Sequence, residues 1–144
     1  MDSSEDLITN LLQPVRQEPD PELDRLAHKV IGAAIEVHRQ LGPGFQERVY
    51  QKALCIEFEL RGIPFGSQSG VEINYKGRAI GSGRLDLIAG GRLIVELKSV
   101  EKLAPIHSAQ IISYLRMTNR ILGLLINFNV PVLKEGIKRV ILSS

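Results

Sequence analysis

Apolar positions follow a helical period from residue 22 to residue 60 and a strand period beyond it. Between residues 22 and 41 apolar side chains recur every three or four positions, and Gly42-Pro43-Gly44 then stops the predicted helix. A second helix is predicted from about Phe45 to Leu60. Its core candidates are Val49, Ala53, Leu54, Ile56 and Leu60.

Beyond Gly62 the pattern alternates, which predicts strands followed by one more helix. Residues 63–65 and 71–75 are predicted to form an edge strand, Lys76-Gly77 to turn the chain, and residues 79–80 to lead into the next strand. A third helix is predicted from Pro105 to about Met117. Residues 121–126 are predicted as a buried strand and residues 137–142 as a closing strand.

Length and composition indicate one globular domain. The chain has 144 residues, of which 44% are hydrophobic, and this is enough to bury a core. Residues 1–21 differ from the rest because they are rich in Ser, Asp, Glu, Gln and Pro and hold five acids and one base. We expect a flexible acidic lead-in over residues 1–21 and a single domain over residues 22–144, whose net charge of +6 permits a polyanionic partner.

Some classes of protein do not fit this sequence. The single cysteine, Cys55, lies among apolar residues and allows no internal disulfide. No apolar run reaches the roughly 18 residues of a membrane span, and the acidic N-terminus does not resemble a secretion signal. Gly42-Pro43-Gly44 is not a phosphate loop, since no Gly-Lys-Ser/Thr follows it. We therefore expect a cytoplasmic protein without a membrane anchor.

Charged side chains interrupt the apolar hairpin at residues 83–98. Asp86 lies on its first arm, Glu96 and Lys98 lie on its second, and a glycine pair at 90 and 91 joins the arms. Glu96 and Lys98 share one face because they are two residues apart. A two-residue turn would place Asp86 opposite Val95, whereas a three-residue loop or a bulge would place it opposite Glu96; we favour the second register.

In the favoured register two carboxylates and one ammonium converge. Buried charge is costly unless it is paired or given to a metal, and carboxylate oxygens suit Mg²⁺ or Mn²⁺. The ammonium of Lys98 is then placed to hold an anion or a water molecule. The alternative interpretation is a buried ion triad, or a solvated face at the sheet edge, with no catalytic role.

Polar residues on two predicted helices extend the motif set. Glu47 and Tyr50 share a face of the second helix, and His107, Gln110 and Tyr114 form a polar stripe on the third. The motifs follow one another in the order Gly44-x-x-Glu47-x-x-Tyr50, Asp86, Glu96-Leu97-Lys98 and Gln110-x-x-x-Tyr114. In this order the chain resembles the GxxExxY proteins, a branch of the PD-(D/E)XK nuclease superfamily. The proline that gives the superfamily its name is absent, because Leu85 precedes Asp86.

The resemblance implies a restriction-endonuclease-like α/β fold, a mixed β-sheet flanked by α-helices, with a site that hydrolyses phosphodiester bonds. The implied ligands of Mg²⁺ or Mn²⁺ are Asp86, Glu96, Glu47 and the carbonyl of Leu97. By the same resemblance Lys98 positions the attacking water or offsets phosphate charge. Gln110 and Tyr114 match a helix motif that supports the site and contacts nucleic acid.

The implied partner is DNA or RNA. Aromatic residues make up 5% of the chain and Trp is absent, which favours recognition of the backbone over extensive base stacking. Candidate contacts are Arg84, Arg92, Lys102, Arg116 and Arg120, with stacking by Tyr50 or Tyr114. His38 and His107 lie beside motif residues, either with a direct role or as packed or capping side chains.

Two other functions compete with hydrolysis of nucleic acid. One is a non-catalytic module that keeps the scaffold and binds nucleic acid or a protein. The other is an enzyme that acts on a small molecule or a sugar phosphate with the same metal site, for which the sequence carries no cofactor fingerprint. The presence of Glu47, Asp86, Glu96 and Lys98 together favours the nuclease, because a binding module would not need all four.

Overall fold

The computed structural model describes residues 19–142, apart from the side chains of residues 68 and 69, and places three helices against one sheet. The elements are α1 (Pro21–Leu41), α2 (Glu47–Arg61), β1 (Phe65–Tyr75), β2 (Arg78–Ala89), β3 (Leu93–Lys98), α3 (Pro105–Thr118), β4 (Leu122–Asn127), a 3₁₀ turn (Leu133–Gly136) and β5 (Ile137–Ile141). Positions 1–18 of the lead-in predicted for residues 1–21 lie outside the described residues.

Helix α1 begins at a well-defined cap, one residue earlier than predicted. The side chain of Asp20 accepts a hydrogen bond from the backbone nitrogen of Leu23 at 2.8 Å, and Pro21 occupies the first turn, where its missing N–H has no helical partner to lose. The helix ends at Gly42, whose φ of 71° favours glycine. The sequence pattern therefore located this helix to within one residue.

The sheet has five strands in the order β1-β2-β3-β4-β5. β3 and β4 run parallel, joined by a crossover through α3, and every other neighbouring pair is antiparallel. The turn between β1 and β2 is the predicted pair Lys76-Gly77, both with positive φ, as a two-residue hairpin turn requires. A mixed sheet flanked by helices is the predicted architecture, and it is confirmed.

Two hydrophobic layers cover the two faces of the sheet. Helices α1 and α2 pack on the face that carries Leu93, Val95 and Leu97, and α3 packs on the face that carries Ile94. Side chains alternate along a strand, so positions 96 and 98 belong to the same face as Ile94. The charged end of β3 therefore lies on the α3 side of the sheet.

Helix α2 is rotated relative to the prediction. Its buried stripe is Tyr50, Leu54 and Phe58, spaced four residues apart. Ile56 and Leu60, two of the predicted core residues, are 58% and 76% exposed, so their assignment to the core was wrong. The two aromatic rings supply more apolar area to the interior than these two aliphatic side chains would, and a helix can turn only one stripe inward.

Candidate active site

The hairpin formed by β2 and β3 has the register that brings the two acids together. Leu87 pairs with Val95 and Ala89 with Leu93, which leaves a three-residue loop centred on Gly91. Both glycines of the loop have positive φ, 56° and 69°. The predicted three-residue loop is confirmed, and the described pairing ends one step before Asp86 and Glu96.

The side chains of Asp86 and Glu96 each accept a hydrogen bond from the backbone of the other strand. The backbone nitrogen of Asp86 donates to Glu96 Oε1 at 3.0 Å, and the backbone nitrogen of Leu97 donates to Asp86 Oδ2 at 2.9 Å. These reciprocal bonds hold both carboxyl groups between the strands. Each carboxyl group is thereby fixed to a rigid element at the point where the described β2–β3 pairing ends.

Glu96 is electrostatically destabilised when it is ionised. The residue is 5% exposed, and burial together with the nearby charge of Asp86 raises its pKa from 4.5 to about 7. The positive charge of Lys98 acts in the opposite direction and lowers the pKa of Glu96. When both acids are ionised, the pair and one lysine carry an excess of negative charge that a cation would neutralise.

The raised pKa predicts that Glu96→Gln stabilises the metal-free protein. The folded state holds a proton on Glu96 between about pH 4.5 and 7 that the unfolded state has released, so stability falls as pH rises through this window and stays low above it. At pH 8 the substitution should raise the free energy of unfolding by roughly 2 to 3 kcal/mol, since one pKa unit corresponds to about 1.4 kcal/mol.

Urea unfolding of both proteins in EDTA, over a series of pH values, measures this difference. Below pH 4 the two proteins should be nearly equal in stability, which serves as the internal control. A difference that does not change with pH would contradict the argument.

Glu47 lies in the first turn of α2 and is exposed. One turn later Gln51 donates to the backbone oxygen of Asp86 at 3.3 Å, and Ser99, directly after Lys98, donates to the backbone oxygen of Phe45. The start of α2 is thus tied to both strands of the acidic pair. Within residues 19–142 no three His, Cys, Asp or Glu side chains form a preassembled metal-ligand cluster, so the role of Glu47 stays a prediction.

Tyr50 is a core residue, and its predicted role in base stacking was wrong. Its side chain is fully buried, and its ring stacks on Phe128 with centroids 4.4 Å apart. The hydroxyl donates to the backbone oxygen of Gly42 at 2.6 Å and accepts from the backbone nitrogen of Phe45 at 3.2 Å. Tyr50 therefore fixes the loop that leads into α2.

The polar stripe on α3 divides into a cap and a surface pair. His107 Nδ1 accepts from the backbone nitrogen of Ala104 at 3.0 Å and so caps the helix. Gln110 is exposed and its Nε2 donates to the Tyr114 hydroxyl at 3.3 Å. Tyr114 lies against Gly83, where an added Cβ would be only 2.7 Å from the hydroxyl. The pair therefore reaches β2 three residues before Asp86.

His38 is also bound to the backbone. It is buried, and its Nε2 bonds to the backbone oxygen of Val130 at 2.8 Å. A carbonyl oxygen can only accept, so this nitrogen carries the hydrogen. For both His38 and His107 the packed or capping role is the one that these contacts support. His28 is exposed on α1.

Three of the five predicted basic contacts lie at the wrong end of the hairpin. Arg92 is ion-paired with Asp20 at 2.6 Å, and Arg120 donates to the backbone oxygen of Gly91 at 3.0 Å. Strand β3 rises by about 3.3 Å per residue, so its loop end lies about 20 Å from Lys98. Arg116, in the last turn of α3, precedes β4 at that same end. Arg84 and Lys102 lie at the end that carries Lys98.

The sequence prediction missed Asn127, which fixes the segment after Lys98. Asn127 is buried; its side chain accepts from Val100 N at 3.1 Å and donates to Val100 O at 2.9 Å. It also pairs with Lys98 in the β3–β4 register. The available signal was its position as the one polar side chain in the apolar run from Leu122 to Phe128. A buried amide is hydrogen-bonded as a rule, so it predicts a specific backbone partner.

The comparisons with known proteins add one finding to this geometry. A family model described as the PD-(D/E)XK nuclease superfamily matches residues 24–140. Neither a curated protein nor a solved structure matches the chain. Within residues 19–142, none of the helices combines the length and the hydropathy that crossing a bilayer requires.

Proposed function

This chain belongs to the PD-(D/E)XK nuclease superfamily, and we propose that it hydrolyses phosphodiester bonds of DNA or RNA with the help of Mg²⁺ or Mn²⁺. The observation that carries the proposal is the reciprocal pair of bonds that holds Asp86 and Glu96 together beside Lys98. This cluster keeps an acid that is costly to ionise, and groups with such perturbed pKa values are concentrated at functional sites.

The donor set fits a hard divalent cation. Asp86 and Glu96 would supply carboxylate oxygens, and the carbonyl of Leu97 would supply a neutral one. The Leu97 side chain is buried in the α1/α2 layer, so only its main chain is available to a ligand. Glu47 would add a further carboxylate or orient a water, because it lies one turn before Gln51, which contacts Asp86.

The metal would supply Lewis-acid activation of a water and of a phosphoryl oxygen. Lys98 would position the attacking water or offset charge that develops on the phosphate, since its charge acts on Glu96. Gln110 and Tyr114 would support β2 near Asp86 and present polar atoms to the substrate. Fixed groups of this kind accelerate phosphoryl transfer without any covalent nucleophile.

We also propose that the chain belongs to the GxxExxY branch. Gly44 has a φ of 106°, a conformation that favours glycine, and Tyr50 bonds to the loop around it. The motif thereby sets the start of α2, where Glu47 is exposed. The spacing of the motif is explained if its purpose is to hold that glutamate at the end of the sheet where the acidic pair lies.

The proposal predicts metal-dependent cleavage and metal-dependent stabilisation. Purified protein should cut at least one of single-stranded DNA, duplex DNA and RNA in Mg²⁺ or Mn²⁺ and none of them in EDTA. A saturating metal, at about 100 times its dissociation constant, should raise the free energy of unfolding by about 2.7 kcal/mol. Metal affinity should rise with pH up to about 7, because Glu96 must lose its proton to bind.

Stabilisation without cleavage of any substrate would leave the metal site but remove the nuclease function. The non-catalytic binding module would then be the better description. Absence of both effects would contradict the metal site itself.

A further inference from the structure

A groove of about 500 Å³ runs between α2 and β1, the edge strand of the sheet. It is lined by Arg48, Gln51, Lys52, Cys55, Ile56 and Ser67. The five helical residues are spaced by three and four positions, so they form one continuous face of α2. The face opposite to it carries Tyr50, Leu54 and Phe58 into the core.

The groove carries positive charge that the protein does not neutralise. Arg48 and Lys52 are exposed, and in the part of the chain that the structure describes neither forms an ion pair. Four arginines elsewhere on the surface are each paired with an acid: Arg39, Arg61, Arg92 and Arg139. Two cations left without acids on one helical face fit an anionic ligand.

The groove reaches the backbone of the strand that carries Asp86. Gln51, between the two basic residues on the same face, donates to the backbone oxygen of Asp86 at 3.3 Å. Arg48 and Lys52 are each within about one helical turn of it. A ligand in the groove would therefore pass directly beside the strand that holds Asp86.

We propose that this groove binds the sugar-phosphate backbone of a single strand of nucleic acid, with Arg48 and Lys52 contacting successive phosphates. The inference rests on the proposed nuclease function. The two cations are separated by about 6 Å along the helix, comparable with the distance between phosphates in an extended strand. We expect a groove of this size, walled by a helix and an edge strand, to take one strand in preference to a double helix.

The lining also indicates how the strand is recognised. It contains no aromatic ring on which a base could stack, and Tyr50 is turned into the core. Recognition therefore depends on phosphate charge, which is tolerant of sequence. Glu59, whose charge acts on Cys55 at the far end of the groove, limits the basic stretch to the half nearest Asp86.

Binding of labelled oligothymidylate and oligouridylate in EDTA, over a range of KCl concentrations, tests the proposal. Each phosphate contact on a single strand contributes about 0.7 to the slope of log affinity against log salt. The double variant Arg48→Gln/Lys52→Gln should therefore reduce the slope by about 1.4 and weaken binding about 25-fold at 0.1 M salt. Circular dichroism should confirm that both proteins are folded.

Arg25→Gln/Lys29→Gln is the matched control. These residues are also an arginine and a lysine four positions apart on an exposed helical face, but they lie beside Gly90 at the loop end of the hairpin. This variant should bind like the wild type. The assignment would be overturned if the two variants lost equal affinity or if the groove variant kept the wild-type salt slope. It would also be overturned if the groove variant kept a preference for duplex.

Cleavage by the same proteins in Mg²⁺ separates this inference from the proposed function. A wild type that binds through the groove but cuts nothing would disprove the nuclease and keep the groove. A groove variant that binds and cuts like the wild type would disprove the groove assignment and leave the proposed nuclease function in place.

Discussion

Lys98→Ala is expected to lower the rate of cleavage by about 10²- to 10³-fold, the usual effect of removing one preorganised group that stabilises transition-state charge. Its ammonium lies near Glu96, but it is not a candidate metal ligand. The variant should therefore retain metal-induced thermal stabilisation while kcat falls. Single-turnover cleavage and thermal unfolding with and without Mg²⁺ measure the two effects separately.

Asp86→Asn provides the contrast. It removes a carboxylate charge while keeping an oxygen that can accept from the Leu97 nitrogen, so the hairpin should still fold. Cleavage and metal-induced stabilisation should both be lost. If Lys98→Ala cleaves at the wild-type rate, or if it loses the metal effect as Asp86→Asn does, the separate role of the lysine is wrong.

The largest loss of stability is expected for Tyr50→Ala, at about 3 to 5 kcal/mol, because it removes a fully buried aromatic ring from the core. The ring stacks on Phe128, and the cavity would open between α2 and the residue that follows β4. The loop before α2 would also lose the hydroxyl that binds Gly42 and Phe45. Urea unfolding measures the change.

Tyr50→Phe separates packing from hydrogen bonding. It keeps the stacked ring and removes only the hydroxyl, so it should cost about 1 kcal/mol. Nucleic-acid affinity should be unchanged, since the ring does not reach the surface. A stable Tyr50→Ala protein with weakened nucleic-acid binding would restore the base-stacking role that the structure contradicts.

The local geometry of the acidic pair was predictable from the sequence because it is set by few residues. Two glycines fixed the length of the loop, and the two acids and the lysine could share one site only in one register. The helices and strands followed from periodicity to within a few residues. All of these features depend on contacts between near neighbours in the chain.

The features that the sequence did not reveal depend on contacts between distant segments. Tyr50 looks like a surface residue until Phe128 is placed on its ring. Arg92 and Arg120 look like free cations until the N-terminus of α1 and the Gly91 loop are brought beside them. Residue type alone does not indicate which distant segment a charged side chain will contact. Predicted sites for surface charges are therefore the least reliable part of an interpretation from sequence.

The one parallel strand pair determines when the acids are buried during folding. β1, β2 and β3 are joined by turns of two and three residues, so their pairing costs little loop entropy. β4 joins β3 only after the crossover through α3 has been closed, a less local step. Because Glu96 lies on the α3 face, its desolvation belongs to this second step. We therefore expect the negative charge of the site to slow the final docking of the domain and not the formation of the meander that carries it.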